Sequence, residues 1–236
     1  QHCGFGFHVS NNMEMKCDLS SRDLATGRPP PAQSVAHRIL GRSSQGAPAM
    51  PAANEPLTLI LSRHSVGPKH LAAPGPSDAQ LQSAFAAALR APDHGKLVPY
   101  RFVVVRDAGL ERLAELFVDY GRRHGKPEAE LALERARAMQ APVVITVFAR
   151  IDAMHEVPVH EQWIALGGAL TNVLNALHLL GFGAKMLSGR RARDAQIGAA
   201  FCDAGEQLVG WISCGTATSA PKARGVDDVA RIVARF

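Results

Sequence analysis

The segment from Glu161 to Leu180 is apolar nearly all the way round, and Gly167, Gly168 and Ala169 give it a small-residue side. A helix that offers water no polar face has to be covered by protein on every side, within its own subunit or by a partner subunit. It is a poor membrane span, because Thr171, Asn172, Asn175 and His178 interrupt it. Gly181 and Gly183 end it. Upstream, Ala141-Pro-Val-Val-Ile-Thr-Val-Phe-Ala149 has the length and β-branching of a strand buried on both faces, which belongs in the middle of a sheet. Few aromatics among plentiful Ala, Val and Leu favour a mixed α/β interior.

Composition agrees with one large core. The 236 residues are 47% hydrophobic but only 6% aromatic, so the interior is built mainly from Ala, Val and Leu. The net charge of +5 is spread along the chain without aromatic platforms, which argues against nucleic acid as a partner. Cys3, Cys17, Cys202 and Cys214 show no CxxC spacing, and a reducing cytoplasm fits them. Residues 1–52 are rich in Gly, Pro, Ser, Asn and Gln with no sustained apolar period, and we expect a disordered extension there. That stretch lacks the apolar region of a signal peptide, and Met50 is an alternative start. Residues 53–236 are expected to form the folded domain.

Three polar clusters interrupt this domain. Leu81, Ala84, Phe85, Ala88 and Leu89 recur at helical spacing behind a Ser77/Gln80 capping box, and Pro92 stops that helix. Arg90 and His94 are left where the helix gives way to the strand Phe102–Val105, as a site or as a capping and surface pair. A short helix from Asn54 carries Leu57, Ile60 and Leu61 and ends at Ser62-Arg63-His64-Ser65. That end can grip a phosphate or be an ordinary solvated terminus. After a short strand, Ala184–Leu187, comes Ser188-Gly189-Arg190-Arg191, also suited to an anion. Two further helices, Leu110–Arg123 and Glu128–Met139, precede the central strand, and Leu208–Cys214 is a last apolar strand. The His155 to Glu161 stretch has the wrong spacing for a metal motif and carries Pro158, so no metal site is expected. Gly181-Phe-Gly183 follows a helix instead of a strand, against a dinucleotide loop.

Taken in order, these pieces resemble a known family. Ser62-Arg63-His64-Ser65, Leu89-Arg90-Ala-Pro-Asp-His94, Pro99-Tyr100-Arg101-Phe102, Ala141-Pro142, Gly181-Phe-Gly183, Ser188-Gly189 and Val209-Gly210 before Gly215-Thr216 are similar to the flavin-dependent nitroreductases. The likeness is greatest to the short NAD(P)H nitroreductases of the YdjA type. It implies an α+β sandwich with a central, mostly antiparallel sheet flanked by helices, and FMN at a homodimer interface. It further implies that Arg63, His64, Ser65, Arg90, His94, Met186, Leu187 and Ser188 bind the cofactor, with Arg90 and His94 acting across subunits or within one.

The activity implied is transfer of electrons from NAD(P)H through FMN to flat small-molecule acceptors such as nitroaromatics or quinones, in ping-pong order. The flavin carries the hard chemistry, so no side chain is assigned as catalytic. The alternatives are a flavin carrier or redox sensor without turnover, and a flavin-free relative of the same fold. His64, Tyr100, Met186 and Leu187 depart from the relatives' Arg, Trp, Trp and Arg. The loss of two guanidiniums asks Lys185, Arg190 or Arg191 to compensate.

Overall fold

The computed structural model describes residues 55–220 and 228–236, and the expected disordered extension lies outside them. The elements, in order, are α1 (Glu55–Ser62), β1 (Leu71–Ala72), α2 (Asp78–Ala88), β2 (Tyr100–Val105), α3 (Ala108–Arg123), α4 (Glu128–Ala138), β3 (Val143–Ala149), α5 (Val159–Leu179), β4 (Gly183–Leu187), α6 (Ala195–Ala199) and β5 (Gln207–Ala217). The sheet runs β1-β5-β3-β2 with β4 also on β5, and every pairing is antiparallel. The expected α+β architecture is therefore present.

β3 is central, between β2 and β5, and all seven of its residues are buried. Its alternation separates two cores. Val143, Ile145, Val147 and Ala149 pack with α2 and α5, while Val144 and Phe148 pack with α3, α6 and Trp211. The capping box at the start of α2 forms as expected, with Ser77 accepting from the Gln80 N–H and Gln80 accepting from the Ser77 N–H. Leu81, Ala84 and Ala88 are buried, but Leu89 lies past the last helical turn and is 55% exposed. The end of α5 is a Schellman cap: Phe182 N–H reaches Leu177 O and Gly181 N–H reaches His178 O, with Gly181 at φ +87°.

Among the described residues, α5 is not covered on every side. Ala165, Ala169, Val173 and Leu177 are buried against the sheet, whereas Ile164 is 63% and Trp163 37% exposed. α1 is also uncovered, with Leu57, Leu59, Ile60 and Leu61 between 39% and 63% exposed.

One charged cluster joins β2 to the start of β5. Glu206 has a side chain only 2% exposed and accepts from Arg101, from Arg150 at 2.7 Å and from the Asp203 N–H at 2.9 Å. The Arg101 hydrogen bond, outweighing the opposing effect of burial, holds the Glu206 carboxyl at about 2, against an ordinary 4.5. A carboxylate depressed in the fold contributes stability that is complete above its ordinary value and is lost as pH falls from there to the folded value. We expect on the order of 2–3 kcal/mol to disappear between about pH 4.5 and pH 2. Glu206→Gln should lower stability at neutral pH and flatten that acid limb in melts across a pH series. An acid limb of wild-type steepness in the variant would contradict the assignment.

Candidate functional site

The three polar clusters occupy different parts of the fold. Arg63 and His64 are half-buried just past α1, and Ser65 is exposed. This loop is tied along the edge of β4 by the Val66 N–H, which donates to Ala184 O at 3.1 Å. It is also tied to the C-terminal end of α5, where His178 Nε2 lies 3.0 Å from Ser62 Oγ and the His64 and His178 rings meet edge-on at 6.4 Å. Met186 and Leu187 end β4, and Ser188 follows it. Sheet alternation splits them: Met186 packs into the core shared with α2 and α5, while Leu187 and Ser188 line a cavity on the opposite face.

His94 belongs to the other end of α5, and Arg90 sits nearer its middle, where Ala87 accepts from Asn172 and Ala91 meets Gly168. Arg90 and His94 are both exposed, and His94 Nδ1 donates to Glu161 at 2.7 Å, in the first turn of that helix. Ala91 packs against Gly168, where a Cβ would come within 3.2 Å of it. The rise of α5 between Glu161 and His178 is about 25 Å. Within one chain His94 is thus separated from the His64 loop by nearly the length of the helix, and the two stand apart.

The cavity has a volume of about 470 Å³ and lies between β3, β4 and β5 on one side and α3 and α4 on the other. Its floor is aromatic and aliphatic, from Leu113, Phe117, Val144 and Trp211, with the Phe117 and Trp211 rings packed edge to face at 5.3 Å. Its rim carries Lys126, Arg137, Arg190 and Arg191, with no carboxylate among the lining residues. Among the described residues the buried Trp211 indole N–H has no hydrogen-bond partner, which leaves a donor beside this space. Apolar walls under a cationic rim fit a flat ring system that carries polar edges and an anionic group. Apart from Arg190 and Arg191, these residues escaped the sequence reading, because cations on a helix such as α4 look like a solvated face.

The wall at Leu187 rests on bare backbone. β5 carries a bulge where the register slips between Val147 and Phe148, and Gly210 sits in it at φ +154°. A Cβ there would lie 2.2 Å from Leu187 O and 2.9 Å from Met186 Cε. Gly210 therefore lets the end of β4 approach closely enough to form the cavity wall.

This arrangement of sheet, covering helices and cavity has relatives. The sequence profile of the Nitroreductase family matches residues 60–216. This chain belongs to the nitroreductase family. The Escherichia coli (strain K12) protein YdjA is 32% identical over 161 residues, spanning 68% of this chain and 87% of that one. A Haemophilus influenzae protein is 35% identical over 162 residues, with the same two shares. Both carry the name "putative NAD(P)H nitroreductase". Among solved structures, a nitroreductase-like family protein from Bacillus cereus superposes with a TM-score of 0.66 at 18% identity, covering 80% of this chain and 99% of that one. A nitroreductase with bound FMN from Desulfitobacterium hafniense DCB-2 superposes with a TM-score of 0.56 at 21% identity, covering 78% and 100%. The fold of this nitroreductase is thus that of its family, and no described helix is long and apolar enough to cross a membrane.

Proposed function

We propose that this nitroreductase is an FMN-dependent NAD(P)H oxidoreductase whose cofactor sites are each built by two chains of a homodimer. The observation that carries the proposal is the separation of His94 from the His64 loop along α5, together with the exposed apolar side chains of α5 and α1. A two-fold pairing that sets α5 antiparallel to its copy brings the His94 end of one chain to the His64 end of the other. It also buries the aliphatic surface that a single chain leaves in water.

In that arrangement Arg63, His64 and Ser65 supply hydrogen bonds to the phosphate and ribityl chain, and Leu187 and Ser188 wall the ring. Arg90 and His94 approach from the partner. Met186 contributes through packing beneath Leu187. Of the compensating cations, Arg190 borders the cavity, and Arg191 is committed to Glu134. Bound FMN would supply hydride transfer from NAD(P)H to a flat, electron-poor acceptor that takes the same face after the nicotinamide leaves, in ping-pong order. The chain's part is to hold the cofactor, to exclude water with its apolar floor and to set positive charge beside the ring.

Arg63→Ala should weaken FMN binding roughly ten- to a hundred-fold, the loss of one charge-assisted hydrogen bond. Fluorescence titration of flavin-free protein measures this, and wild-type affinity in the variant would remove Arg63 from the site. Mixing FMN-loaded protein with NADPH and a nitroaromatic tests turnover. Flavin binding without NADPH oxidation would leave a carrier in place of an enzyme.

A further inference from the structure

The cationic rim is organised by a group that does not itself line the cavity. Glu134, on the inner face of α4, is fully buried at 0% exposure. One oxygen accepts from Lys126 and from Arg137, each at 2.5 Å, and the other accepts from Arg191. The three cations come from the turn before α4, from α4 itself and from the 3-10 turn that follows β4. Two are also laid on aromatic faces of α3. Arg191 stands 4.6 Å above the Phe117 ring, and the Lys126 ammonium is 6.0 Å from the Tyr120 centroid. Gly121 makes this possible, since a Cβ there would come within 2.6 Å of Leu131 and 3.4 Å of the Glu134 stem.

The charges do not cancel. One carboxylate faces three cations, and burial, which alone would raise its pKa, is outweighed by Lys126, Arg191 and Arg137, so that Glu134 stays ionised. A surplus of two positive charges remains on side chains whose long, flexible stems would otherwise wander in solvent.

We propose that Glu134 is a positioning residue, which pins Lys126, Arg137 and Arg191 into a fixed positive wall for the anionic or electron-rich edge of the cavity's ligand. The proposal rests on the flavin reading for the identity of that ligand. It is separable from a charge-balancing role by sign. Removing a negative charge while leaving the cations in place makes the cavity more positive and tightens anion binding, whereas releasing the cations weakens it.

The test compares Glu134→Gln, which keeps the shape and loses the charge, with Glu134→Asp, which keeps the charge and loses the reach. Both should bind FMN about ten-fold more weakly than wild type. Both should also shift the bound-flavin midpoint potential to more negative values, because a mobile wall stabilises the reduced, anionic ring less. A merely structural role lowers the melting temperature but leaves that potential unmoved. Should the Gln variant fail to fold, Asp and Arg137→Ala, at the exposed end of the cluster, give the same readouts. FMN affinity and potential equal to wild type in the folded variants, or tighter binding in Gln, would overturn the proposal.

If wild-type protein binds no FMN, the flavin reading fails on its own, and the wall is read with 2-naphthalenesulfonate on Trp163→Phe protein. Quenching of Trp211 fluorescence then reports occupation of the cavity. Roughly ten-fold weaker binding of this probe in Glu134→Asp supports the positioning role. Equal binding in both, or none in wild type, overturns it.

Discussion

Gly210→Ala is expected to cost about 3 kcal/mol or more and to abolish tight flavin binding. The new methyl would overlap the carbonyl oxygen of Leu187, a backbone atom that cannot rotate away. Overpacking of this kind typically costs about 1–3 kcal/mol, and strain is added because Gly210 sits at φ +154°, where L side chains are rarely found. Relief requires the end of β4 to move outward, carrying Leu187 and Ser188 with it. The melting temperature should therefore fall by about 6–12 °C. Gly198→Ala is the control, since nothing lies within 4 Å of a Cβ there and the residue is inside α6. It should be neutral or stabilise by up to about 1 kcal/mol. Thermal melts of the flavin-free variants, followed by FMN titration, distinguish the two. A Gly210→Ala protein with wild-type melting and wild-type affinity would show that the wall does not depend on this close approach.

Much of the scaffold could be read from local chemistry. The Ser77/Gln80 box, the β-branched run of β3 and the glycine stop of α5 each depend on neighbours a few residues away, and each formed as expected. Leu89 was less legible: it continues the apolar period of α2, but the helix closes one residue earlier and leaves it in solvent. Met186, Leu187 and Ser188 were grouped on the family resemblance, although a strand turns successive side chains to opposite faces. The cavity was hidden for a different reason. Its lining comes from α3, α4, the turn after β4 and β5, and nothing in the charged run Glu128–Ala138 distinguishes Glu134 from the exposed glutamates beside it. Only the packing of α4 over Gly121 decides which carboxylate is buried. The two-chain character we propose for the site rests in part on the sequence, because an apolar helix with no face for water has to find cover somewhere.

That each flavin site is assembled from two chains can be tested with paired variants. Arg63→Ala damages the proposed half-site at the C-terminal end of α5, and Arg90→Ala damages the proposed half-site that holds His94. Each homodimer should bind FMN weakly, because both of its sites lack one guanidinium. Co-expressing the two chains with different affinity tags yields a heterodimer in which one site carries both lesions and the other carries neither. Flavin released from the doubly purified heterodimer should amount to one tightly bound FMN per two chains. If Arg63 and Arg90 of the same chain served the same site, both sites of the heterodimer would remain damaged. The absence of any tightly bound FMN in that species, or a monomer that retains flavin, would contradict the account.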